Sequence, residues 1–133
     1  MSAHKLAVVA TVSATGTPQA AVMGIAVTPD LEIIFDTLRA TRKYQNLKAN
    51  PNVALVFGGE GEVTAQYEGI AEEPTSDELE RCREQYFSVW PDGRDRLSWP
   101  GLTHIRIRPR WIRYSNFNQG SREIAELEFP AAV

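Results

Sequence analysis

The stretch IIFDTLRATRKYQNLKANPNVALVF, residues 33–57, decides how this chain is read. An apolar strand, Ile33-Ile34-Phe35, runs into a hydroxyl-rich turn, and the turn opens directly into a short helix over Thr41 to Ala49. Asn50-Pro51 ends that helix, because proline lacks the N–H the next turn needs and pushes its predecessor out of the helical region. Val53 to Phe57 then resumes as a strand. At the mouth of the helix sit Thr41, Arg42 and Lys43, with Thr37 at the end of the strand before them. Hydroxyls, a guanidinium, an ammonium and the unbonded N–H groups of a helix start together suit a phosphate. Arg42 can hold two oxygens at once, and Lys43 adds a point charge. Cations at a helix N-terminus oppose its macrodipole, so the arrangement is unfavourable until an anion is bound. The bland alternative is a capped helix with two solvated cations. A phosphorylated cofactor is the better fit, since sites where local rules are broken tend to be functional.

Working outward, Leu6 to Val12 reads as a buried strand and Ala14-Thr15-Gly16-Thr17-Pro18 as a turn. Gln19 to Thr28 is a second strand, Pro29-Asp30 a turn, and Glu32 to Asp36 a third strand. Beyond the helix, Gly58-Gly59-Glu60-Gly61 is a hairpin turn and Val63 to Ala71 a long strand. Thr75-Ser76-Asp77-Glu78 has the capping-box pattern, with Thr75 as N-cap. Leu79, Cys82, Tyr86 and Val89 recur behind it at helical spacing, which predicts a second helix reaching about Phe87. Trp90 to Gly101 is an irregular loop. Thr103 to Arg108 alternates, with Ile105 and Ile107 facing inward, and a last strand runs from Trp111 to Phe117 after Pro109. Beyond Gly120 there is no strong signal. Six or seven antiparallel strands with two short helices fit a mainly β, closed or nearly closed barrel in one domain, which removes exposed strand edges.

Composition narrows the function. At 133 residues and 43% apolar content, the chain can bury a core without disulfides or metals. A net charge of −3 argues against a general nucleic-acid binder. Cys82 is the single cysteine, and His4 and His104 are the only histidines, without paired spacing, so neither a disulfide framework nor a catalytic zinc centre is expected. The longest apolar run, Leu6 to Val12, is too short to cross a bilayer, and no signal-peptide pattern is present. A reducing cytoplasmic setting is the expectation.

Other features are open to more than one reading. Gln19 to Val27 is rich in small residues, and Gly24 permits close approach either of a flat ligand or of a packing neighbour. Arg106, Arg108, Arg110 and Arg113 crowd the last strands, whereas residues 60–84 hold nine acidic residues against two basic ones. That asymmetry marks an RNA face, two surfaces that meet in a dimer, or a solvated sheet face; no ladder of aromatics supports RNA. Cys82 falls on the apolar stripe of its helix as an inert thiol. No Ser-His-Asp, paired-carboxylate or nucleophile-elbow arrangement is visible, and GGEG joins two strands, so it is no dinucleotide fingerprint.

These residues together resemble the pyridoxamine-5′-phosphate-oxidase-related, FMN-binding split β-barrel proteins. The likeness spans nearly the whole chain: GTPQAAV on the first hairpin, IIFDT followed by TRKYQNLKANPNVALVF, VTAQYEGIAEE, and the EQYF helix end. It implies a homodimer with FMN at each of two interface sites. It also implies that Thr41, Arg42 and Lys43 hold the phosphate, helped by Asp36 and Thr37. Ala21, Val22, Met23 and Gly24 match the strand that meets the flavin ring through its backbone. Thr64 stands where the oxidase has a glutamine on the ring, and Trp111 lies on a strand that the partner subunit would contribute.

The departures from the oxidase proper are equally informative. Its second strand begins with an arginine and ends with a lysine, where this chain has Ala21 and Ala26. An arginine that grips the substrate phosphate after its Tyr-Phe helix end is replaced by Trp90. A hydrogen bond to a charged group is worth about 1.5–3 kcal/mol, so a chain without these cations is not expected to oxidise vitamin B6. The implied function is a flavin-dependent oxidoreductase acting on another small molecule. A deazaflavin reductase, with Arg39 and the Arg106 to Arg113 cluster lining a wider groove, is the runner-up. A non-enzymatic flavin or haem binder is a third reading, and an apo interaction domain a fourth.

Overall fold

A single strand run, Pro18 to Val27, closes the sheet of this protein on itself. The computed structural model describes residues 6–58, 61, 63–120 and 122–130. Strand β1 (Leu6–Val12) turns back into β2 (Pro18–Gly24), which continues past Ile25 as β3 (Ala26–Val27). Then come β4 (Ile33–Leu38), helix α1 (Arg42–Ala49), β5 (Asn52–Gly58), β6 (Val63–Glu72), helix α2 (Ser76–Val89), β7 (Leu102–Asn116) and β8 (Glu123–Glu128). Short 3₁₀ turns lie at Pro91–Arg96 and Asn118–Gly120. The strand order is β2-β1-β5-β6-β7-β4-β3, all antiparallel, with β8 added to β7. Because β2 and β3 sit at opposite ends of that order yet are one run of chain, the sheet curls into a split β-barrel.

The barrel interior follows from period-2 alternation. Val53, Leu55 and Phe57 of β5 meet Ala65 and Tyr67 of β6 and Ile105, Ile107 and Ile112 of β7, all buried. A second, smaller core lies outside the sheet, where α2 lays Cys82, Tyr86 and Phe87 over Ala26 and Ile34. Cys82 is buried there, and that burial pushes its thiol up, as expected of an inert core residue.

Three sequence expectations change in the structure. First, β8 extends the sheet beyond Gly120. Every one of its side chains is exposed, so it carries no alternation to read; it is held by its ladder to β7 and by Arg113–Glu126 at 3.6 Å. Second, Pro109 does not divide two strands. It lies within β7 where the register with β6 shifts between Glu68 and Gly69, so its missing N–H falls at the irregularity. Third, α2 starts without the capping box. Thr75 is the N-cap residue, but its side chain makes no cap bond, and Ser76 beside it adopts φ 56°. Glu78 reaches Arg106 at 3.0 Å instead of the helix start. The turn predicted at Gly58 to Gly61 includes Gly59 and Glu60, which lie outside the described residues, as does His4.

The acidic and basic segments satisfy each other within the chain. Glu72 takes hydrogen bonds from Arg106 and from Arg108, the latter at 2.9 Å, across the β6–β7 ladder. Part of the charge asymmetry is thus an intramolecular pairing.

His104 lies opposite Asp36 in the β4–β7 ladder, fully buried, with the rings of Tyr86 and Phe87 edge-on at 5.3 and 5.6 Å. Neither ring nitrogen has a partner among the described residues. Burial, aided by Arg83 and Arg96 and opposed by Asp36, lowers its pKa from 6.5 to about 4. The unfolded chain takes up this proton below pH 6.5 and the folded chain only near 4, so stability is complete above that window and falls as the pH drops through it. We expect urea titrations to show a loss of about 2 kcal/mol between pH 7.5 and 5. His104→Leu should flatten that slope; an unchanged slope would contradict the assignment.

Candidate functional site

The hook is built within eight residues of chain. Thr41 caps α1: its Oγ1 accepts from the Tyr44 N–H at 3.2 Å and donates to the Leu38 carbonyl at 2.9 Å. The Thr37 hydroxyl meets it at 2.9 Å. Both hydroxyls are therefore committed to holding the turn, and they shape the hook rather than extend from it. The N–H groups of Arg42 and Lys43 donate to no acceptor among the described residues. They are the free donors of the helix start.

The side chains are uncommitted as well. Arg39 and Lys48 are bound to Glu73 at 2.8 and 3.4 Å, Arg96 to Asp36 at 2.8 Å, and Arg106, Arg108 and Arg113 to Glu72, Glu78 and Glu126. Neither Arg42 nor Lys43 has a carboxylate within ion-pair distance among the described residues. Lys43 is partly buried, and the loss of hydration lowers its pKa despite the favourable field of Asp36. An ammonium kept short of both water and a counterion gains the most when an anion arrives.

A cavity of about 430 Å³ opens in front of the hook, lined by Arg42, Lys43 and Thr41 on one side and Val9, Gln19 and Ala21 on the other. Asn46 sets the spacing between these walls. Its buried amide donates to Thr11 Oγ1 at 3.0 Å on β1 and to Gln19 Oε1 at 2.7 Å on β2. Sequence reasoning missed Asn46 and Gln19. The available signal was an amide among Tyr44 and Leu47 on the buried face of a short helix.

The other candidates divide. Ala21 faces the hook across the cavity, whereas Val22 points to the outer surface at 66% exposure and Met23 packs on the barrel core. Gly24 does permit a close approach, but the neighbour that takes it is Trp90. A Cβ at Gly24 would lie 2.9 Å from the indole, whose Nε1 donates to the Ile25 carbonyl at 3.0 Å. The carboxylate of Asp36 is held by Arg96, pinning the 3₁₀ turn to the end of β4. Thr64 is exposed at the start of β6, opposite Gly58 and Ser115, about 20 Å of strand from the end that carries α1. Trp111 lies opposite Glu68 and Glu128, lining a groove with Arg110 and Phe129. Within one chain, neither Thr64 nor Trp111 reaches the hook.

Among the described residues no group of His, Cys, Asp and Glu is placed to hold a metal ion. The chain matches, over residues 1–116, the family described as pyridoxamine 5′-phosphate oxidase. No curated protein matches its sequence. Solved structures share its fold. The haem-binding protein from Mycobacterium smegmatis superposes with a TM-score of 0.78 at 15% identity, covering 91% of this chain and 52% of that one. The haem storage protein from Vibrio cholerae gives 0.68 at 20% identity, covering 80% and 82%. An FAD-binding protein from Mesorhizobium loti gives 0.68 at 18% identity, covering 84% and 85%. The chain spans about half the length of the Mycobacterium smegmatis protein.

Thr41→Ala removes a hydroxyl that takes part in three hydrogen bonds of the hook. The expected cost is about 1–2 kcal/mol in urea denaturation, with Thr41→Ser close to the parent. A change below about 0.3 kcal/mol would show that the cap does not hold the turn.

Proposed function

The chain belongs to the pyridoxamine 5′-phosphate oxidase family, and we propose that it is an FMN-dependent oxidoreductase, working as a cytoplasmic homodimer on a small molecule other than a pyridoxamine phosphate. The observation that carries this reading is the pair of uncommitted cations, Arg42 and Lys43, beside two unbonded N–H groups at the start of α1. Such a set suits one terminal phosphate. Bound FMN would supply the hydride chemistry, which accounts for a chain without an evident acid–base pair or nucleophile. The protein's part is to bind and orient. β2 ends the sheet order, so the backbone edge away from β1 is open to hydrogen-bond the polar rim of a ring.

Two observations favour flavin monophosphate over its rivals. A deazaflavin would need a broad basic groove, and Arg39, Arg106, Arg108 and Arg113 are instead paired with carboxylates. Haem iron would need an axial donor, and among the described residues the one imidazole, His104, and the Cys82 thiol are sealed beneath α2. The substrate class follows from Trp90 and Ala26. Trp90 is packed on Gly24, and Ala26 is buried under α2, so neither position offers a cation to a second phosphate.

The homodimer is supported by an apolar outer face. Val8 of β1 stands between Val22 of β2 and Val56 of β5, with Ala10, Ala20 and Ala54 in the next row. Val8, Val22 and Val56 are 41%, 66% and 51% exposed, and a contiguous apolar surface of this kind marks an interface. Glu68 and Trp111 border it, so a second copy is what would carry Thr64 and Trp111 toward a hook. No helix among the described residues is long and apolar enough to cross a membrane.

Arg42→Ala combined with Lys43→Ala should raise the FMN dissociation constant about 100-fold or more, while riboflavin, which lacks the phosphate, binds as before. Equal FMN affinity in the parent and double variant would remove the hook from the site. Light scattering should report a dimer that Val8→Glu with Val56→Glu converts to monomers. A monomeric parent would refute the assembly.

A further inference from the structure

We propose that Glu73 is the positioning residue of the anion hook: by tying Arg39, Tyr44 and Lys48 to one carboxylate, it fixes the direction in which Arg42 and Lys43 point. This inference rests on the reading of the hook as a phosphate site and extends it to a residue outside the hook.

Glu73 lies just past the end of β6 with its side chain 17% exposed. Oε1 accepts from the Tyr44 hydroxyl at 2.8 Å and faces Lys48 Nζ at 3.4 Å. Oε2 accepts from Thr103 Oγ1 at 2.6 Å and from Arg39 Nη2 at 2.8 Å. One carboxylate thus joins the turn before α1, the helix itself, and β7. Arg39 and Tyr44 bracket the hook on both sides. Arg39 is further fixed through its backbone, its N–H donating to Gly101 O at 2.9 Å and its carbonyl accepting from Gln45 Nε2 at 2.8 Å.

The buried face of α1 packs into the barrel core through Tyr44 and Leu47. A pocket of about 160 Å³ lies beside Tyr44, Leu47, Ala71 and Ile105, which pack together in the barrel core, with Glu73 on its wall. At the rim of that pocket the directional bonds to Glu73 add to the packing in setting the pose of the helix. Glu73 also removes a competitor. With Arg39 paired to it, the cations left at this end of the helix are Arg42 and Lys43. Burial opposes its charge, but the bonds from Thr103, Tyr44 and Arg39 outweigh that and hold it down to about 2, so it stays ionised throughout the neutral range. A hook whose backbone is preset loses less order on binding than one that must be assembled.

The test compares FMN with riboflavin by fluorescence titration of the parent, Arg42→Ala, Glu73→Ala and Tyr44→Phe proteins. A positioning role predicts that Glu73→Ala raises the FMN dissociation constant at least tenfold and Tyr44→Phe about threefold, with riboflavin changing less than twofold in both. Equal losses for both flavins would mean that Glu73 only stabilises the fold, and no loss for either would mean that it does nothing for the hook; each overturns the proposal. Should Glu73→Ala fail to fold, Tyr44→Phe decides on the same criteria. If the parent shows no preference for FMN over riboflavin, the phosphate reading itself falls. If Arg42→Ala erases that preference while Tyr44→Phe and Glu73→Ala keep it, the positioning role alone falls.

Discussion

The run from Pro18 to Val27 bonds first to β1 and then to β4, and everything else is arranged around that exchange of partners. At the crossover, Ile25 belongs to neither ladder, and it is fully buried. A backbone carbonyl stranded there would cost about 1–3 kcal/mol. The indole of Trp90 supplies the missing donor, reaching over a residue with no side chain to do so. Closure of the barrel, the seat of α2 and the small size of Gly24 are thus one solution to one hydrogen-bonding problem.

Charge is distributed with the same economy. Carboxylates from the β6–α2 segment meet arginines of β7 and of the β4–α1 turn, so Arg39, Arg106 and Arg108 are neutralised in place. Where both partners are exposed, as in Arg108–Glu72, such a pair contributes little to stability, about 0–1 kcal/mol. The larger effect of these pairs is on selectivity, because they leave Arg42 and Lys43 as the cations facing the cavity between α1 and β2. An anion approaching this end of the molecule meets two positive groups and unbonded amides together, with the neighbouring arginines already engaged.

How much could be read beforehand depended on distance along the chain. The hook was legible because Thr37, Thr41 and Tyr44 bond within eight residues, so spacing alone predicts their meeting. Strands with one wet face were equally legible: Val53, Leu55 and Phe57 alternate with exposed neighbours. Strand β8 was not, since all its side chains are exposed and only its backbone ladder places it. Glu73 was invisible for a different reason. Its donors come from 34, 29 and 30 residues away, and nothing in the sequence says which carboxylate of an acidic segment they will choose. At Thr75 the local pattern was present and tertiary context overruled it, because Arg106 offered Glu78 a better partner than the helix start.

The packing of Trp90 on Gly24 also constrains what this sequence can become. Losing the indole at position 90 would strand the Ile25 carbonyl and open a void over the glycine, while a side chain at 24 would collide with the ring. Positions 24 and 90 can therefore change only in concert.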